Sequence, residues 1–204
     1  MNTPQALPST AIVDLNQNQH GRSLPGDFAM WCFILAELLV FGIFFISYAI
    51  TRSHHVELFN QSQKQLDRGT GFINTLLLVS SSYFVVRAIA ALQRGQGKVC
   101  AKWLMTAITC GGFFVVLKFL EFVGKYDAGI SMSTNTFYMF YLFLAFFHFM
   151  HVILGMIILG AIAIKAWQGG YSAAHHEGAE TGAAYWHMVD LVWIILFPLI
   201  YVLH

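Results

Sequence analysis

Phe137-Tyr-Met-Phe-Tyr-Leu-Phe-Leu-Ala-Phe-Phe-His148-Phe-Met-His151-Val-Ile-Leu-Gly155-Met-Ile-Ile-Leu-Gly-Ala-Ile-Ala-Ile164 runs for 28 residues without an Asp, Glu, Lys or Arg. About 20 apolar residues in a helix cross the roughly 30 Å hydrocarbon core of a bilayer, so this stretch reads as a transmembrane helix. Four more stretches meet the same requirement: Phe28 to Ile50, Phe72 to Leu92, Trp103 to Val123 and Ala183 to Leu203. The joining segments are short and polar, the longest being His54 to Gly71 and Lys165 to Gly182, so no soluble domain hangs off them. The reading is an all-α polytopic membrane protein, a bundle of five transmembrane helices over residues 25–204, preceded by a polar, disordered tail at residues 1–24.

Composition points the same way. Of 204 residues, 57% are hydrophobic and 10% charged, less than half the roughly 25% charged share of a soluble domain. The net charge of +1 gives no electrostatic case for nucleic acid. Cys32, Cys100 and Cys110 form no C-x-x-C pair and read as small packing residues rather than a copper centre. Residues 1–24 lack the basic start and apolar core of a signal peptide. Arg22, Arg94, Lys98, Lys102 and Lys165 fall on the side of the N-terminus, against Arg52, Lys64, Arg68 and Lys125 opposite. Arg87, one turn from its helix end, tips this count toward a cytoplasmic N-terminus and an external His204.

The informative residues are the polar ones inside apolar runs. Glu37 lies near the middle of the first span, Lys118 and Glu121 near the end of the third, His148 and His151 in the fourth, and His187 and Asp190 in the fifth. A charge at the bilayer centre costs about 2.5–3.5 kcal/mol on insertion scales, so these groups must be neutralised or paired and must face protein. Lys118 and Glu121 are three apart on one helix face and can pair. His148 with His151, and His187 with Asp190, share faces in the same way, and Gly155 would let a neighbouring helix come close. This spacing predicts a polar layer between the fourth and fifth helices, with Glu37 buried.

Three readings of these groups stand open on spacing alone. His148-x-x-His151, with His175, His176 and Glu180 in the last loop, has the composition of a haem or metal ligand set. Glu37 suits a proton relay. Interhelical hydrogen bonds that fix the packing account for the same residues without either. An independent transporter or proton channel using Glu37, Lys118 and Asp190 lacks the inverted repeats and Gly/Pro-interrupted helix pairs of transporters.

Motifs then narrow the choice. His148-Phe-Met-His151-Val152-Ile-Leu-Gly155 resembles the H-x-x-H-V-x-x-G segment of cytochrome c oxidase subunit III. His175-His176-Glu177-Gly178-Ala179-Glu180 resembles that family's H-H-x-G-x-E, and Trp186-His187-Met188-Val189-Asp190-Leu191-Val192-Trp193 its W-H-x-V-D-x-V-W signature. Ala36-Glu37, Asn74-Thr75 and Lys118-Phe-Leu-Glu121 are similar to further family positions, in the same order. The mitochondrial-type subunit has seven helices, and this chain starts at what would be the third. The lipid cleft between the first two helices and the rest is therefore not expected here. Leu24-Pro25-Gly26-Asp27-Phe28-Ala29-Met30-Trp31 and the compact length most resemble the five-helix NorE-type proteins linked to nitric oxide reductase; subunit III of a bacterial cytochrome c or quinol oxidase is the alternative.

The resemblance implies an accessory subunit with no catalysis and no cofactor of its own, in the inner membrane of a bacterium. Its partners would be membrane lipid and a catalytic haem-copper subunit that holds the haem and metal centres. The subunit would support proton uptake and stabilise those centres. On this view His148, His151, His187 and Asp190 form an interhelical network tethered by Glu180, His175 and His176, and Glu37 carries any proton-linked role.

Overall fold

The computed structural model of the chain describes residues 28–171 and 176–203. Helix α1 spans Phe28–His54, α2 Val56–Gln63, α3 Arg68–Gln93, α4 Gly97–Asp127, α5 Thr136–Trp167 and α6 Glu177–Phe197, the last running on as a π-helical turn, Pro198–Val202. No strand occurs among the described residues. All but α2 are long and apolar enough to cross a membrane, so the five expected spans form a helical bundle. The tail at residues 1–24 and His175 lie outside the described residues.

Local chemistry sets the helix ends. The Asp67 carboxylate accepts from the Gly69 N–H at 2.9 Å and caps α3, and Asn135 Oδ1 accepts from the Tyr138 N–H at 2.8 Å and caps α5. Between α3 and α4 the chain reverses in three residues, with Gly95 at φ 74°. A side chain there would strain the turn. At the end of α6, Pro198 brings no N–H to the ladder. The last turn widens, and the Leu203 N–H donates to Pro198 O at 2.9 Å, five residues back.

The helices run up and down, with α6 at the centre. It packs against α1, α3 and α5, while α4 lies against α3 and α5. Of the most apolar window of each span, 56% is buried in α6 but 11% in α1, so α1 is the peripheral helix. Close approach rests on glycine. A Cβ at Gly155 would lie 2.7 Å from Cε3 of Trp186, and one at Gly111 2.9 Å from its Cη2. The Trp186 indole thus fills the space that two glycines of α4 and α5 leave open.

One element departs from the polar linker expected at His54 to Gly71. Residues 56–63 form α2, with Phe59, Ser62 and Gln63 buried. Phe59 packs between Tyr48 and Phe137, and Gln63 Nε2 donates to Ile200 O at 3.0 Å and to the Tyr48 hydroxyl at 3.3 Å. Phe59 and Gln63 are four apart, so one face of this short helix caps the bundle end while Val56 and Leu58 stay exposed.

Candidate functional site

The buried polar groups gather at successive depths rather than in one layer. Nearest the N-terminal side of the bundle, Glu180 in the first turn of α6 accepts from Gln93 Nε2 at 3.0 Å, and His176 Nε2 stands 3.0 Å from the same oxygen. This ties the start of α6 to the end of α3. Two turns deeper, His187 Nδ1 lies 2.5 Å from the Ser82 hydroxyl of α3. The Asp190 carboxylate stands beside Ser82, 4% exposed and without a hydrogen bond of ordinary geometry.

Glu37 and His151 bridge α1 and α5 in the middle of the bundle. His151 Nε2 is 3.1 Å from Glu37 Oε2, and its Nδ1 is 2.7 Å from Phe147 O, one turn back. Glu37 is not buried as expected. Its side chain keeps 18% of its surface exposed, because α1 sits at the edge and only one of its faces meets protein. His148 points the other way, into an aromatic cage stacked on Trp193 with ring centroids 5.2 Å apart and edge-on to Phe114 at 5.8 Å. Neither of its ring nitrogens has a partner among the described residues.

Lys118, Glu121, Tyr141 and Tyr201 form the third cluster. Lys118 Nζ donates to Glu121 Oε2 at 2.9 Å and to the Tyr201 hydroxyl at 2.7 Å, while the hydroxyls of Tyr141 and Tyr201 both donate to Glu121 Oε1. The ammonium also lies 5.1 Å from the Trp193 ring centroid. The i, i+3 pairing expected for Lys118 and Glu121 is present. The π turn after Pro198 belongs to the same segment that brings Tyr201 to them.

The expected layer between the fourth and fifth spans is therefore corrected. His148 and His151 make no hydrogen bond to His187 or Asp190 among the described residues, although all four are at bilayer depth. The physical reason is that α6 is central. Residues three apart on it are separated by about 60° around the axis, and this pair meets α3 through Ser82 rather than α5. Spacing missed Ser82, Gln93, Tyr141 and Tyr201, whose hydroxyl and amide groups complete the clusters. Each lies at an unremarkable position in its own helix.

Among the described residues no nucleophile is assembled with a base and an orienting acid. Ser82, His187 and Asp190 have the residue types of a triad, but Asp190 stands at the serine and does not orient the imidazole, so the order of nucleophile, base and orienting acid is missing. Among the described residues no three His, Cys, Asp or Glu side chains are grouped to hold a metal ion.

A family model described as "Cytochrome c oxidase subunit III" matches residues 19–204. "Cytochrome c oxidase subunit 3" of Thermostichus vulcanus is 32% identical over 172 residues, covering 84% of each chain. "Cytochrome c oxidase subunit 3" of Synechocystis is 29% identical over 198 residues, 97% of this chain and 84% of the relative. "Probable cytochrome c oxidase subunit 3" of Rickettsia bellii is 31% identical over 188 residues, 85% of this chain and 67% of the relative.

Proposed function

The chain belongs to the cytochrome c oxidase subunit III family, and from that premise we propose that it is the non-catalytic third subunit of a bacterial cytochrome c or quinol oxidase. The family match over residues 19–204 carries this reading. The names of the relatives support the oxidase ahead of a NorE-type partnership with nitric oxide reductase, which becomes the alternative outcome of the test.

The geometry supports a bracing role. Lys118, Glu121 and Glu37 are each answered by a side chain of the bundle, and on this reading the haem and metal centres are held by the partner. Glu37 is the residue best placed to act on that partner. It is partly exposed at mid-depth on the least-packed helix, with His151 beneath it as a counter-group. A carboxylate there sets the charge and the local dielectric at the surface of the bundle, where a neighbouring subunit would take up protons. Among the described residues no continuous side-chain path joins the clusters: His148 hydrogen-bonds neither to the Glu37 pair nor to the Lys118 pair, which gives an independent channel no support. The N-terminus is assigned to the cytoplasm on the positive-inside count.

Affinity purification of the tagged chain from its native membrane, with haem spectra and peptide identification, tests the proposal. Co-purification of a haem-copper oxidase supports it, and nitric oxide reductase subunits in their place move the chain to the alternative. Recovery of the chain alone, from cells whose oxidase keeps its full turnover lifetime without it, would refute the accessory role. Glu37→Gln should shorten that lifetime while leaving assembly intact.

A further inference from the structure

Helices α1 and α3 both rest on α6 but make at most marginal contact with each other. The gap between them is a groove of about 430 Å³ at the N-terminal half of the bundle. Trp31, Ile89, Ala183 and Ala184 give it apolar and aromatic walls, and three polar side chains reach it: Gln93, Glu180 and His187. The volume and the ratio of apolar wall to polar anchor suit a small-molecule site. We propose that this groove binds the headgroup of a membrane quinol, with Glu180 and His187 accepting from its two hydroxyls.

The argument for that occupant is one of spacing and charge. Glu180 and His187 are seven residues apart on α6, which puts them on one face about 10 Å apart along the axis. The two oxygens of a para-dihydroxy ring are about 5.5 Å apart, and a hydrogen bond of about 2.8 Å at each end extends that reach to roughly 11 Å. Both anchors have an atom to offer. Gln93 and His176 take Glu180 Oε1, leaving Oε2, and Ser82 takes His187 Nδ1, leaving Nε2 without a partner among the described residues. No lysine or arginine lines the groove, and a carboxylate does, so it opposes the phosphate of a lipid headgroup and favours a neutral ring.

The contact behind His187 completes the match to the reduced form of the ligand. When Nδ1–H donates to Ser82, Nε2 accepts from a quinol hydroxyl, and Ser82 can turn its own proton to Asp190 beside it. No chemistry on the ring is required of the subunit.

The test uses the full chain in phosphatidylcholine nanodiscs, titrated under anaerobic reducing conditions with a short-chain ubiquinol and, separately, photolabelled with an azido-quinol whose adducts are mapped by peptide mass spectrometry. Saturable binding is expected, with adducts concentrated on residues 86–93 and 183–187 and suppressed by unlabelled quinol. Glu180→Gln should weaken quinol binding about tenfold, the loss of one charge-assisted hydrogen bond. Ala184→Phe, which fills the groove and leaves the polar groups in place, should abolish labelling while circular dichroism and melting stay unchanged. Adducts spread evenly over the lipid-facing helices, labelling that phosphatidylethanolamine displaces as well as quinol does, or undiminished binding by folded Ala184→Phe protein would each overturn the assignment.

Discussion

A lysine ammonium with no exposed surface persists at bilayer depth only when its charge and its N–H groups are answered. Lys118 has the Glu121 carboxylate, the Tyr201 hydroxyl and the Trp193 face within reach. Removing one partner of such a pair costs more than removing both, because the survivor is left buried and unpaired. Lys118→Met should therefore lower the melting temperature in detergent, by the equivalent of about 1–2 kcal/mol given the modest worth of polar contacts in membranes. Lys118→Met with Glu121→Gln should recover part of the loss; if the double variant melts no higher than the single one, the carboxylate is not the liability. The sequence exposed this pair through its i, i+3 spacing, but Tyr201 is 83 residues further on and no local rule reaches it. Outside the spans, the Thr70 hydroxyl holds the Asp67 carboxyl below its ordinary value of 3.8. A depressed native value means that the cap's contribution is present above the unfolded value and is lost as pH falls through the native one. Asp67→Asn keeps the acceptor without the charge. Wild type should melt above this variant at neutral pH, and the two should converge as the pH is taken below 3.8 in acid melts, whereas parallel curves would rule out a role for the charge.

At the scale of elements, the decisive contact is one tryptophan against two glycines. Gly155 was legible as a point of close approach, but nothing local to it named Trp186 as the visitor or Gly111 as the opposite wall. A methyl at either glycine meets the indole at under 3 Å, and overpacking of a filled contact costs about 1–3 kcal/mol. Gly155→Ala and Gly111→Ala should each be destabilising in thermal melts. Gly160→Ala, on the same helix as Gly155 with open space around its Cβ, should be neutral or slightly stabilising through helix propensity. Trp186→Phe should rescue much of the Gly155→Ala loss by shortening the ring. Equal effects at Gly155 and Gly160 would mean that backbone propensity, not the indole, sets the cost. Helix α2 escaped the sequence for a related reason. Eight residues with one buried Phe carry too little periodicity to stand out from a polar linker, and their helical state is fixed by the bundle end they cover.

Across the whole molecule, the number of spans was readable because a bilayer demands about 20 apolar residues per crossing, whatever their neighbours. Which helix sits at the centre was not, because lipid-facing and protein-facing apolar residues are equally apolar. The structure supplies that missing term, α6 inside and α1 outside, and it has a mechanical consequence. Leu35, Leu39, Ile43, Ile46 and Ile50 form an exposed apolar stripe on α1, while its inner face is held by a row of aromatic contacts, from Phe33 on Tyr185 through Phe41 and Phe44 on Phe147 to Tyr48 on Phe59 and Phe140, and by the Glu37–His151 pair. The interior pairs α3–α4 and α4–α5 do not depend on any of these. Glu37→Ala should therefore loosen α1 alone. Spin labels on Ser47 of α1 and Ile157 of α5 should show a broader distance distribution by pulsed electron resonance, while labels on Val79 and Met105 keep theirs between α3 and α4. A uniform broadening at both pairs would mean that the bundle yields as one body. No broadening at either would mean that the aromatic contacts hold α1 without help from the carboxylate, leaving Glu37 free of structural duty.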